Sequence, residues 1–146
     1  MFLRFKKSGV LLMAFMVFLG AMMLKVTDSN EICYHLNAQV LSDSGVKFAY
    51  SVDVLSNGKL FLETELSAND QHYQYFRLFE YTHIKSNTFI IHEISQRSDE
   101  NRDIEPFLKF DFFKSLQEVE LFKPSAEVVL ARSESRYLYL HSSQAL

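Results

Sequence analysis

One cysteine, Cys33, in a chain of 146 residues rules out an internal disulfide, so the folded part relies on packing and hydrogen bonds. Only four glycines are present, too few for a phosphate-cradling loop. The five histidines, His35, His72, His83, His92 and His141, stand singly, with no HxH, HExxH or Cys/His cluster to hold zinc. No GxSxG elbow is present, and the serines gather in turn clusters, which argues against acyl transfer. The carboxylate pairs Glu63/Glu65 and Glu118/Glu120 each share a strand face, but nothing nearby in sequence perturbs them, so a solvated face is expected. DENRD, 99–103, lacks the spaced acidic ligands and terminal Glu of a calcium loop. No catalytic residue, metal site or cofactor is expected, and the chain reads as non-enzymatic. There is also no internal repeat, low-complexity tract or second hydrophobic span.

What is present begins with RFKKSGVLLMAFMVFLGAMMLK, where Arg4, Lys6 and Lys7 precede an uncharged run from Ser8 to Leu24. As a helix those seventeen residues would rise roughly 26 Å, near the lower limit for crossing a hydrocarbon core. A cleaved leader needs small residues before the cut, yet Gly20 and Ala21 run straight into Met22, Met23 and Leu24. An uncleaved anchor over 8–25 is therefore favoured over a cleaved leader, with Val10, Leu11, Leu12, Phe15, Val17, Phe18 and Leu19 as its apolar body. The cations in front of the span place residues 1–7 in the cytoplasm and export the remainder. Residues 26–30 read as a linker and 31–146 as a single periplasmic β domain, tethered to a bacterial inner membrane.

Four of the 15 basic residues and none of the 18 acidic ones lie at or before Lys25. The exported part thus holds 11 basic against 18 acidic residues, a formal −7. Such a surface repels phosphate backbones, so direct nucleic-acid binding is not expected.

Period-two alternation recurs between turn signals. Ile32, Tyr34, Leu36, Ala38 and Val40 alternate with polar residues in EICYHLNAQVL, and Cys33 falls on the opposite parity, which predicts a half-buried packed thiol. SDSG leads into VKFAYSVDVL, and SNG, with Gly58 free to take positive φ, into KLFLETEL. After SAND, the segment QHYQYFRLFEYTHI has apolar residues on both parities and predicts a strand covered on both faces. TFIIHEIS is a fifth strand. FLKFDFFKSLQEVELF, 107–122, is ambiguous; a strand over FLKFDFF followed by a short helix or bend carrying Phe112, Leu116, Val119 and Phe122 inward is favoured. AEVVLARS and RYLYLHS complete seven or eight antiparallel strands. A mainly β fold of this kind hides its edges by closing into a lipocalin-like barrel or a strongly curled sheet; if closure is incomplete, a partner can finish it.

Aromatics concentrate in two stretches, 73–81 and 107–113. Tyr73, Tyr75, Phe79 and Tyr81 share one parity and form the candidate ligand or partner surface. They suit core packing and equally the wall of an apolar cavity with hydroxyls orienting an amphipathic ligand, and parity alone does not separate the two.

The short basic N-terminus, the single span, Cys33 soon after it, the SNGKLFLE hairpin with Gly58, and YFRLFEYTHIKSNTFIIHEI with its Arg77-x-Phe79-x-Tyr81 strand together resemble FidL-like membrane proteins of enterobacteria. More loosely the layout is similar to the ToxS and VtrC group of periplasmic partners. The resemblance implies an accessory protein that binds and stabilises the periplasmic domain of a ToxR-like transmembrane transcription regulator, and a barrel that helps sense bile-salt-like or lipid-like amphiphiles. No second cysteine accompanies RYLYLHSS, a departure from the ToxS-like members. The alternative is a stand-alone periplasmic binder of a hydrophobic small molecule, anchored or secreted.

Overall fold

The computed structural model describes residues 31–98 and 104–142. The expected cytoplasmic segment, anchor and linker over 1–30 and the charged stretch 99–103 lie outside the described residues. Among the described residues no helix is long and apolar enough to cross a membrane.

Eight strands follow one another: β1 (Ile32–Leu41), β2 (Lys47–Leu55), β3 (Lys59–Ala68), β4 (Gln71–Lys85), β5 (Thr88–Ser98), β6 (Leu116–Phe122), β7 (Val128–Ser133) and β8 (Arg136–Ser142). Each pairs antiparallel with its neighbours in chain order, and β8 returns to β1, closing a barrel. Among the described residues the seams are unequal: β3 and β4 pair over ten residues each, β6 and β7 over three, and β1 and β8 through Leu36↔Ser142 and Asn37↔His141.

The turns follow from residues that tolerate the left-handed region. Asn69 (φ 51°) and Asp70 (φ 61°) form a two-residue hairpin between Ala68 and Gln71, the positive-φ pair whose twist matches that of the strands. Gly58 takes φ +78° between β2 and β3, as its sequence position predicts.

Alternation then fills the interior. Phe48, Tyr50 and Val52 on β2, Leu62, Thr64 and Leu66 on β3, Tyr75, Arg77 and Phe79 on β4, and Leu138 and Leu140 on β8 are all buried. Burying such apolar side chains supplies the main driving force, about 1.5–3 kcal/mol for each large one. Four expectations are corrected. β4 is covered only on its inner face, since Phe76 and Leu78 are half-buried and Ile84 is exposed. Ile32 and Tyr34 are exposed, because β1 begins at the rim of the barrel. Cys33 is exposed too, where the β1–β2 register shifts between Ile32 and Tyr34 and parity no longer holds.

The fourth correction concerns 107–122. The helix comes first, as α1 (Glu105–Leu108), with Pro106 in its opening turn, where a missing N–H costs nothing. The strand comes second, as β6, with Gln117 and Val119 inward and Leu116 and Phe122 outward. Pairing with β5 over 116–120 and with β7 over 120–122 holds this segment extended, whereas a lone short helix is marginal.

Candidate functional site

The connection from Ile104 to Ser115 is tucked into one end of the barrel. Ile104, Phe112 and Phe113 are buried there, and Tyr73 packs its ring 5.5 Å from that of Phe107. Asp111, fully buried, holds this plug in place. Its carboxylate accepts from the Tyr50 hydroxyl (2.8 Å), the Tyr75 hydroxyl (2.7 Å), Arg77 Nη1 (3.0 Å) and the Phe113 N–H (3.0 Å). Arg77 also donates to the Phe113 carbonyl (2.6 Å) and, through Nε, to Glu93 (2.6 Å). Arg136 donates to the carbonyls of Asp111 and Phe110, both at 2.6 Å, and Gln117 Nε2 donates to that of Phe112 at 3.0 Å. Two guanidiniums thus balance two carboxylates, and the turns of backbone that enter the barrel find donors for their carbonyls. Burial, and then the adjacent Asp111 charge, raise the pKa of both Tyr50 and Tyr75 well above the ordinary tyrosine range, so both hydroxyls stay protonated and donate.

Among the described residues the other end is open. A cavity of about 500 Å³ lies between the start of β1 (Tyr34, Leu36), the end of β2 (Val52, Val54), Leu60, Tyr81, Phe89 and Ile91, the end of β6 (Val119, Leu121, Phe122), and Val129, Ala131 and Leu140. Its wall is apolar. Polar groups gather at the mouth, where Ser86 and Asn87 form the β4–β5 turn and Lys123 follows β6. The Tyr81 hydroxyl donates to the Leu55 carbonyl at 3.3 Å, and partial burial raises its pKa. A volume of this size matches small-molecule pockets, and an apolar wall with polar groups at one end suits an amphiphile.

The four aromatics singled out from sequence separate. Tyr81 lines the cavity. Tyr75 is bound to Asp111, Phe79 lies in the core with the Arg77 guanidinium 4.8 Å from its ring, and Tyr73 packs on the plug. Their shared parity carries all four inward, but β4 runs the length of the barrel and deals them to different levels. The anchor residues Val10, Leu11, Leu12, Phe15, Val17, Phe18 and Leu19 lie outside the described residues.

Sequence reasoning missed Asp111, Tyr50 and Lys123. The only trace of Asp111 was an acid set inside an aromatic run, FLKFDFF. The cavity wall itself was traceable, since its strand residues, Phe122 at the rim excepted, sit on the inward parity. Among the described residues no group of three or more His, Cys, Asp or Glu is placed to hold a metal ion.

No protein-family model matches the chain, and no curated protein matches it.

Proposed function

We propose that this protein is a non-enzymatic binder of an amphipathic small molecule, bile-salt-like or lipid-like, held with its apolar part in the barrel and its polar head at the mouth. The observation that carries the reading is the unfilled apolar cavity in an otherwise packed β domain. Protein interiors are normally close-packed, so a void of this size with a polar rim at one end has a use other than stability. Ser86, Asn87 and Lys123 stand where a head group would sit, and the ammonium favours an anionic one. In this reading the span over 8–25 keeps the domain on the periplasmic side of a bacterial inner membrane.

The test is a titration of the full-length protein with deoxycholate below its micelle concentration, read by displacement of a fluorescent apolar probe. Saturable displacement at one site is expected, weakened several-fold in Lys123→Glu. Non-saturable partitioning, or no displacement by either deoxycholate or a fatty acid, would overturn the reading.

A second reading makes the chain the partner of a ToxR-like transmembrane regulator, and the narrow β1–β8 seam favours it. Among the described residues two pairs close that seam, and Leu41, Tyr137 and Tyr139 stand exposed on the two strands. A thin seam beside exposed apolar side chains is where another polypeptide can add. Co-expression with the candidate regulator should then slow the proteolysis of one or both proteins; unchanged turnover with no co-purification would discard it.

A further inference from the structure

Among all residues of the 104–115 plug, one side chain alone reaches the cavity wall, and it is Phe113. The deepest strand residues in that wall are Val52, Tyr81, Ala131 and their counterparts on the other strands. One inward step further down, Tyr50 and Phe79 are no longer part of it, and those are the rings Phe113 touches. Its centroid lies 5.2 Å from that of Tyr50, edge-on, and 6.3 Å from that of Phe79. Phe113 is therefore the floor.

Its backbone is held at both ends, the N–H by Asp111 Oδ1 at 3.0 Å and the carbonyl by Arg77 Nη1 at 2.6 Å. A floor fixed in this way cannot retreat before an incoming ligand without breaking buried, charge-assisted hydrogen bonds. The void is apolar along its sides with polar groups at its mouth, so depth decides how much of a ligand's apolar part leaves water.

We infer that Phe113 is a specificity-determining residue that measures the ligand, its ring setting the length of the longest straight apolar tail the barrel takes up. This inference rests on the amphiphile-binding reading above and commits it to a tail-first orientation. Tails that stop short of Phe113 gain affinity with each methylene, about fourfold apiece from apolar burial, and tails that exceed it gain nothing further.

The experiment uses the full-length protein and straight-chain carboxylates from octanoate to stearate, each below its micelle concentration, in competition with a fluorescent fatty acid. For wild type the affinity should climb about fourfold per methylene and then break to a plateau or a decline. Phe113→Ala should move that break to longer chains while leaving the affinities of the short carboxylates within about twofold. Phe113→Leu, which keeps most of the packing and both backbone bonds, should move it less and serves if the alanine variant does not fold. A break at the same length in wild type and variants, or a uniform loss at every length, would overturn the inference while leaving the binding reading intact. If wild type binds none of the carboxylates, the inference falls, and the binding reading falls with it only if deoxycholate is not bound either.

Discussion

At the end of the barrel closed by residues 104–115, a fully buried carboxylate collects two tyrosine hydroxyls, a guanidinium and a backbone N–H. At the other end, side chains from all eight strands surround about 500 Å³ that none of them fills. Both ends are built from the same alternating strands, and both present inward-facing aromatics. The difference lies in what the chain does between strands. The plugged end receives a long connection whose backbone must be satisfied by side chains, and that demand brings buried charge with it. The short turns described at the open end stay at the mouth, and strand N–H groups serve their carbonyls, that of Leu121 for Asn87 and that of Tyr81 for Gly58. Rigidity at one end and vacancy at the other are thus two results of loop length on a common wall.

The sharpest way to break this contrast is to remove the centre of the plugged end. Asp111→Ala leaves the Arg77 guanidinium without its buried carboxylate and two tyrosine hydroxyls without an acceptor, and should cost about 3–5 kcal/mol of unfolding free energy in denaturant titration. A loss below 1 kcal/mol would mean the network is not what fixes the plug.

A paired truncation compares the two levels directly. Leu62, 1 % exposed, is packed on all sides, whereas its neighbour two residues earlier, Leu60, is half-buried and faces the void. Leu62→Ala should cost about 3 kcal/mol, the usual price of a buried leucine. Leu60→Ala should cost about 1 kcal/mol, since its side chain already lacks partner atoms on the cavity side. Equal losses would indicate that the open end is as tightly packed as the other.

A smaller effect appears at high pH. Because the folded pKa of Tyr50 and Tyr75 is raised, the unfolded chain releases these two protons first as pH passes about 10. Folding then binds protons that the unfolded state has lost, so stability is fully present below pH 10 and falls above it. The slope is about 1.4 kcal/mol per pH unit for each tyrosine. Tyr50→Phe should halve the part of the slope that the pair contributes, measured as denaturation midpoints between pH 9 and 11; an unchanged slope would show that Tyr50 ionises as freely folded as unfolded.

Much of the wall was legible beforehand. Alternation placed strands over 46–55 and 59–66 that correspond to Lys47–Leu55 and Lys59–Ala68, and turn residues marked the gaps, with Gly58 at positive φ. The stretch 107–122 was misread because FLKFDFF alternates on paper while Phe112 and Phe113 are both buried side by side, which no strand with one solvated face permits. Asp111 was illegible for a related reason: its side-chain partners lie 34 to 61 residues away. Nothing local distinguishes an acid that will be buried among them from one that will face water.

The sequence by itself determined that residues 31–98 would be antiparallel β structure with an apolar inner face, because a period of two and a turn residue are local properties of the chain. Only the tertiary structure decided that the eighth strand meets the first, that one end is filled and that the other is hollow. Closure depends on strand tilt and register summed around the ring, and the volume left inside depends on side chains from every strand at once.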